Sequence, residues 1–314
     1  MGRKPSLLTV VTLSIIVAQM KKCPLVFLCT IIACLLAACN LSSPETQIVP
    51  TETLDPMLLV TPLPTATPFP TLPPTDIPAA RVELGDQAFF NGDWDAAIRE
   101  YQTALENHPN PEVQSAALLG LGRTHYQLGD NATALDVLRR VPDEFPDSPH
   151  LPAAQFALAQ VYEALDRFSE AAVAYQSYLN LRPGVIDSYI YEWRGDALAA
   201  AGDYPAAIDS YQAAMTTPRL NDTIPLEIKI GNSYFTLGDY PTALIAYNDI
   251  YTRTTSDYTK ASMDYMIGLS HFNLGQNEEA YAAYQDAVEK FPLSYDTYLG
   301  LINLVEAGYS VDEF

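Results

Sequence analysis

Residues 189–215 read YIYEWRGDALAAAGDYPAAIDSYQAAM, and the spacing of their small and large side chains decides the fold. Gly195 lies inside an uninterrupted helical stretch that ends at Gly202, because glycine accepts the left-handed conformation that follows a helix. Asp203 then places an anion beside the N-terminus of a second helix. Pro205 stands in the first turn of that helix, where its missing N–H is not needed. The stretch therefore predicts two helices joined by a tight turn.

The same 34-residue pattern recurs six times between about Ala80 and Ser294. A small residue marks the first helix of each copy, at Gly85, Gly122, Ala159, Gly195, Gly231 and Gly268. Alanine follows twelve residues later in every copy, and a tyrosine or leucine stands four residues beyond it. We expect the small residues where two helix backbones approach closely, and the large ones between successive pairs. Since one helix pair cannot bury its apolar face alone, the pairs must stack into a shared core.

This pattern resembles the tetratricopeptide repeat over roughly two-thirds of the chain. The resemblance implies an all-α solenoid, a superhelix of helix-turn-helix repeats, over residues 79–314. It comprises six repeats and a truncated seventh, whose first helix is expected from Tyr295 to Ala307. Because Phe314 follows before a second helix could form, a fragment of a longer protein is one expectation.

The first 38 residues predict a lipoprotein signal peptide. Met20 is the expected start, because Lys21 and Lys22 precede an apolar run that is too short for a comfortable membrane span. The segment from Leu36 to Cys39 resembles a bacterial lipobox, which implies that the thiol of Cys39 carries diacylglycerol. The resemblance places the protein outside the cytoplasm as a membrane-anchored lipoprotein.

Residues 39–78 predict a lipidated cysteine followed by a disordered tether rich in proline and threonine. At about 3.1 Å per residue, such a segment holds a domain on the order of 100 Å from the lipid. If the cell has two membranes, the asparagine at position 40 favours the outer one, since it resembles the residue that follows the cysteine in sorted lipoproteins.

The charge and the cysteines exclude several classes of function. The formal net charge is −21, and removal of residues 1–38 brings it to about −25, which disfavours nucleic acid and anionic membrane surfaces as partners. All four cysteines lie in the first 39 residues, so we expect neither a disulfide nor a cysteine-based metal site in the repeats.

No catalytic motif stands out along the chain, and we expect neither a cofactor nor a metal. Gly120 and Gly122 begin like a dinucleotide fingerprint, but they belong to a helical stretch rather than to a strand–helix turn. His125 and His271 occupy a position where other copies have tyrosine, which favours packing over metal ligation. The sequence therefore predicts a protein that is not an enzyme, unless a catalytic domain follows.

Binding is expected on the concave surface that the first helices line in tetratricopeptide solenoids. Repeat positions assign this groove to Arg123, Tyr126, Gln160, Asn232, Phe235, Leu269, Phe272 and Asn273, with Phe90, Phe156, Tyr265 and Tyr298 as further members. Each of them either faces a ligand or packs against the neighbouring helix.

The fifth and sixth repeats are the expected centre of binding. Phe235 and Phe272 would anchor a ligand there, while Asn232 and Asn273 would bond its backbone or its sugar hydroxyls. The chaperone-binding subfamily pairs such an asparagine with lysines in adjacent repeats, and this chain lacks them. Arg219 and Lys229 are expected on the convex side, remote from the ligand.

Three functions agree with these features. The first is a lipid-anchored scaffold that binds proteins or peptides of the bacterial cell envelope. The second is the N-terminal, non-catalytic part of a lytic transglycosylase acting on peptidoglycan, a class that the Phe-Pro-Asp-Ser-Pro stretch at 145–149 also resembles. The third is a substrate-capture module for a transporter. Sequence beyond Phe314 would separate the second from the others, and the first is the reading that we carry forward.

Replacing Cys39 by serine should abolish lipid attachment, because the acceptor thiol is lost. The variant should accumulate as unprocessed precursor or in the soluble extracytoplasmic fraction. Growth with labelled palmitate measures this directly, and equal labelling of wild type and Cys39→Ser would contradict the lipobox interpretation.

Overall fold

The computed structural model describes residues 78–106 and 109–310. The predicted signal peptide, Cys39 and almost all of the tether lie outside these residues. The described residues form thirteen helices and no strand. In chain order the helices are α1 (Pro78–Phe90), α2 (Trp94–Glu106), α3 (Pro111–Gln127), α4 (Asn131–Glu144), α5 (Leu151–Ala164), α6 (Phe168–Leu181), α7 (Asp187–Ala200), α8 (Tyr204–Thr216), α9 (Ile224–Thr236), α10 (Tyr240–Arg253), α11 (Asp257–Asn273), α12 (Asn277–Lys290) and α13 (Tyr295–Glu306).

The helices form six antiparallel pairs, and the predicted solenoid is confirmed. The small residue of the first helix recurs every 36 or 37 positions, not every 34. The loops between pairs are longer than those of a 34-residue repeat. Each helix packs mainly on its neighbours in the chain. Contacts of α1 with α3, of α3 with α5 and of α11 with α13 exceed those between any two even-numbered helices. The odd-numbered helices therefore line the inner face.

A residue in the left-handed conformation ends the first helix of every pair. Gly202, for example, has φ +85°, and in the third pair Asp166 takes this conformation with φ +55°. The aspartate after the glycine does more than interact with the helix dipole. Asp203 accepts a hydrogen bond from the backbone N–H of Ala206 at 3.2 Å, which caps α8. This bond explains why glycine and aspartate occur together in four of the six turns.

Each pair is locked by a large side chain of the second helix that packs onto the small residue of the first. The side chains are Tyr101, Leu138, Tyr175, Tyr211, Tyr247 and Tyr284, all at most 2% exposed. A Cβ added to Gly195 would lie 2.5 Å from Cε1 of Tyr211. The expectation that glycine serves close backbone approach is therefore corrected, since glycine makes room for the aromatic ring.

The core consists of several clusters of buried residues, some of which span successive pairs. Its largest cluster joins Leu118 in α3, Leu158 in α5 and Ile190 in α7. Tyr211 packs with Leu226 of α9, so a side chain that locks its own pair also contacts the next one. Helix α13 packs on α11 and α12, where the first helix of a seventh repeat is expected. Within the described residues, none of the helices combines the length and apolar character of a membrane span.

Substituting Gly195 by alanine should lower stability, although alanine normally favours a helix by about 1 kcal/mol over glycine. The added methyl group overlaps the Tyr211 ring, and overpacking costs about 1–3 kcal/mol. We expect a net loss of about 1 kcal/mol, measured as a lower urea midpoint.

Gly300 provides the matched control, because a Cβ there would lie 3.2 Å from its nearest neighbour, Cδ1 of Tyr284. Gly300→Ala should be neutral or stabilising. Equal midpoints for the two alanine variants would show that the ring does not need the space at Gly195.

Candidate functional site

Tyrosine hydroxyls from the core reach acceptors on the odd-numbered helices. Tyr211 donates to Oδ1 of Asp196 at 2.9 Å, and Tyr101 donates to Asp86 in the same way at 2.7 Å. Burial, followed by the nearby carboxylate, raises the pKa of Tyr211 far above its ordinary value. The hydroxyl therefore stays protonated as a donor and holds the Asp196 carboxylate in place.

The same arrangement engages Asn232, a predicted ligand-binding residue. Its Oδ1 accepts the hydroxyl of Tyr247 at 2.8 Å. Part of the hydrogen-bonding capacity of this side chain is therefore used inside its own repeat. The sequence signal for this role was the tyrosine sixteen positions after Gly231, since a buried hydroxyl requires an acceptor.

A cavity of about 470 Å³ opens between the second and third pairs and the start of the fourth. It brings together three predicted site residues, Arg123 and Tyr126 of α3 and Gln160 of α5. Phe156, one turn before Gln160, also lines it. Cavities of this size hold small ligands or peptide side chains. Three residues of the predicted groove thus line one cavity.

Two further residues of the cavity come from an even-numbered helix and its end. Tyr178 lies in the last turns of α6, and Arg182 is the residue that caps this helix. The Arg182 backbone departs from helical geometry, with φ −141° and ψ +63°. Sequence reasoning missed both residues because it considered only first helices. The break at Pro183 was the available signal, since it ends α6 beside the next first helix.

Aromatic rings fix the wall of this cavity. The Phe156 ring lies 6.0 Å from Tyr178 and 5.5 Å from Trp193, measured between centroids. The guanidinium of Arg123 stacks over Phe89 of α1, 4.7 Å from its centroid. Such contacts limit side-chain freedom before a ligand arrives. Phe156 is therefore both a wall of the cavity and part of the core.

A second cavity of about 350 Å³ lies at the sixth pair and α13. Leu269 and Phe272 line it together with Tyr281, Asn303 and Glu306. Phe272 is 52% exposed, which suits a surface anchor. These two predicted site residues thus meet α13 in this cavity.

The other residues predicted near the fifth and sixth repeats lie in different surroundings. Phe235 packs edge-on against Tyr240 of its own pair, with centroids 5.2 Å apart, and joins the local core. Asn273 donates from its amide to the Leu269 carbonyl at 2.8 Å within α11. Of the further members, Phe90 is 90% exposed, Tyr298 is exposed, and Tyr265 packs 6.0 Å from the Tyr284 ring.

The histidines that the sequence assigned to packing contact the turn after their helices. His125 lies 3.4 Å from Asp130, and His271 lies 2.7 Å from Oε1 of Gln276. In the described part of the chain, no cluster of histidine, cysteine or acidic side chains is placed to hold a metal ion.

An ion network joins the fourth and fifth pairs. Lys229 of α9 lies 2.9 Å from Glu192 and 2.8 Å from Asp196, both on α7. Arg219, whose side chain is 7% exposed, lies 3.1 Å from Glu192. Burial favours a higher pKa for Glu192, but Lys229 and Arg219 outweigh it and hold that pKa below its usual range.

This network corrects the expectation that Arg219 and Lys229 are remote surface residues. Lys229 reaches the inner-face acceptor Asp196 and lies over the Tyr211 ring. Arg219 also donates to the buried Ser188. Sequence reasoning missed their role because their partners lie about 30 residues earlier, in the preceding repeat.

A buried carboxyl distinguishes the sixth pair from the others. Asp264 of α11 is 5% exposed, and its Oδ2 has no hydrogen-bond partner in the described structure. Burial, with the charge of Asp286 adding to it, raises the pKa of Asp264 to about 7, although Lys290 and Lys260 oppose the shift. The folded state therefore favours the protonated acid, and this carboxyl costs stability increasingly as the pH rises from 4 to 7.

Models of the tetratricopeptide repeat match residues 82–149, 157–218 and 262–294, just over half of the chain. The chain belongs to the tetratricopeptide repeat family. A tetratricopeptide repeat protein from Parabacteroides merdae has a similar structure, with a TM-score of 0.50 at 14% identity, covering 75% of this chain and 95% of that one. At this identity the likeness concerns the fold alone. A search of curated proteins found no match.

Two further solved structures are similar over most of their length. MamA is 20% identical and covers 74% of this chain and 97% of its own, with a TM-score of 0.39. PilF of Pseudomonas aeruginosa is 13% identical and covers 72% and 97%, with a TM-score of 0.46. Tetratricopeptide repeat domains generally bind protein partners.

Truncating both cations of the network, by Arg219→Ala with Lys229→Ala, should lower the free energy of unfolding by about 2–4 kcal/mol, because Glu192 is left without a cation in a partly buried place. The loss should be largest at neutral pH. A carboxyl whose folded pKa is depressed stabilises the fold above its unfolded pKa, and that contribution disappears as the pH falls through the folded pKa.

Urea unfolding at pH 7 and at pH 3 measures the effect. Arg99→Ala with Arg139→Ala removes the same charge from exposed positions of α2 and α4 and should change stability by less than about 0.5 kcal/mol. If the two double variants lose the same stability at pH 7, the network has no special role.

Proposed function

We propose that this protein is a lipid-anchored extracytoplasmic scaffold, without enzymatic activity, that binds proteins or peptides of the bacterial cell envelope in the groove of its repeats. One observation carries the proposal. Arg123, Tyr126 and Gln160, assigned to the groove from repeat positions alone, line one cavity with Phe156. Aromatic walls with a few fixed polar groups suit a bound peptide segment.

The proposed anchor supports this role. Lipidation at Cys39 would hold the protein at a membrane, and residues 39–78 would let the repeats reach partners at a distance. Peptidoglycan strands are an alternative ligand, because amides beside aromatic rings also suit sugars. The non-catalytic part of a transglycosylase is the corresponding alternative function.

Replacing Tyr126 and Gln160 by alanine should reduce partner capture by at least about tenfold, because anchors in such cavities dominate binding energy. The measurement is a pull-down of envelope proteins and peptidoglycan fragments by the whole chain, purified in detergent. Proteins enriched by wild type and lost from Tyr126→Ala/Gln160→Ala are identified by mass spectrometry.

Tyr258→Ala with Gln212→Ala is the matched control, since both residues are exposed and neither lines this cavity. The control should capture partners as wild type does, and circular dichroism should show equal helicity in all three proteins. Unchanged capture by the Tyr126/Gln160 variant would rule out this cavity as the binding site.

A further inference from the structure

We infer that the cavity between the second and third repeats binds an acidic side chain of an extended peptide, held by Arg123 and Arg182. This inference rests on the proposed function, because it names the ligand chemistry of the same groove. It depends on the charges of the cavity, on the orientation of its cations and on the state of the acids near it.

The two arginines are distinguished by lying at the same cavity. Acidic residues outnumber basic ones by 38 to 17, and five of the ten arginines in the described part have a carboxylate partner. Arg140 pairs with Glu144 at 2.7 Å, for example, and Arg167 pairs with Glu170 at 2.7 Å. In the same described residues no ion pair is recorded for Arg123 or Arg182, although both line the cavity. Two arginines without an ion-pair partner at one cavity favour the binding of an anionic ligand.

The surroundings orient these cations toward a ligand. Stacking on Phe89 holds the planar guanidinium of Arg123, and a guanidinium can grip a carboxylate through two parallel hydrogen bonds. Arg182 reaches the cavity from a different helix, at the end of α6. The rings of Tyr126 and Phe156 also line the cavity, and the Gln160 amide can bond a peptide backbone. The site thus combines anion binding with an apolar contact and a backbone contact.

Several acids of the inner face already have partners of their own, and Asp86 accepts the hydroxyl of Tyr101 at 2.7 Å. Glu163 accepts the hydroxyl of Tyr175 at 3.1 Å, and burial raises its pKa. Glu192 and Asp196 are held by Lys229. More remote charges are screened over about 8–10 Å at physiological salt.

A single acidic side chain suits the charges at this cavity better than a polyanion does. The negative charge of the whole protein repels a long anion at every point along the groove. A peptide with one or two carboxylates needs to place only those groups between the two arginines.

The test uses an array of N-acetylated, C-amidated random octapeptides, probed with the whole chain purified in detergent. Bound peptides should be enriched in aspartate and glutamate. For the strongest of them, measured in solution by fluorescence anisotropy, glutamine in place of glutamate should weaken binding by about tenfold or more. Arg123→Gln with Arg182→Gln should weaken the acidic peptide equally and leave the glutamine twin unaffected.

Arg99→Gln with Arg139→Gln is the matched control, because it removes the same charge from exposed arginines that line no part of this cavity. If both double variants weaken binding of the acidic peptide equally, the net charge of the protein alone explains the binding, and the inference is overturned. Bound peptides without an acidic excess would overturn it too, although the proposed function would then stand. A parallel array of the same octapeptides with free C-terminal carboxylates completes the test. Binding on that array alone would also overturn the inference, since the ligand would not be a side chain. If the wild type binds no peptide, both the inference and peptide binding in this groove are wrong.

Discussion

The packing of one tyrosine ring on one glycine is the contact on which the rest of the structure depends. The ring needs the space that a Cβ would fill, and its buried hydroxyl needs an acceptor. In the fourth repeat Gly195 supplies the space and Asp196, the next residue, supplies the acceptor. Where Ala159 replaces the glycine, Tyr175 donates instead to Glu163, further along α5. The lock that holds a helix pair together therefore also determines which polar groups the inner face carries.

Because the acceptors of the tyrosine hydroxyls differ between repeats, the inner face has chemically different parts. Around the fourth and fifth repeats the acceptors Glu192 and Asp196 are engaged by Lys229 and Arg219, so their charge stabilises the stacking of two pairs. Between the second and third repeats Arg123 and Arg182 line a cavity, and Arg123 stacks on the Phe89 ring. A chain that is acidic overall thus contains one basic cavity. Function follows from such local sites, since the repeat fold itself specifies no ligand.

The fifth repeat shows how far the repeat pattern extends beyond the family match. The matched segments leave out residues 219–261, yet Tyr247 packs onto Gly231 there and donates to Asn232, as the corresponding tyrosines of the first and fourth repeats donate to Asp86 and Asp196. Gly231, Asn232 and Tyr247 are enough to form the packing contact and the hydrogen bond, whichever residues lie between them. Variation elsewhere in a repeat is therefore tolerated, and it produces different cavities on a common scaffold.

The sequence by itself determined the helix pairs, the turns and the buried tyrosines, because these depend on residues within one repeat. It also found Arg123, Tyr126 and Gln160, whose places follow from the repeat position alone. Tertiary structure decided the rest. Arg182 joins the cavity from the end of an even-numbered helix, and Arg219 meets Glu192 from a following loop. These contacts depend on how successive helix pairs are rotated against each other. Loop length and packing across the interface set that rotation, and it cannot be inferred from the residue spacing within one repeat.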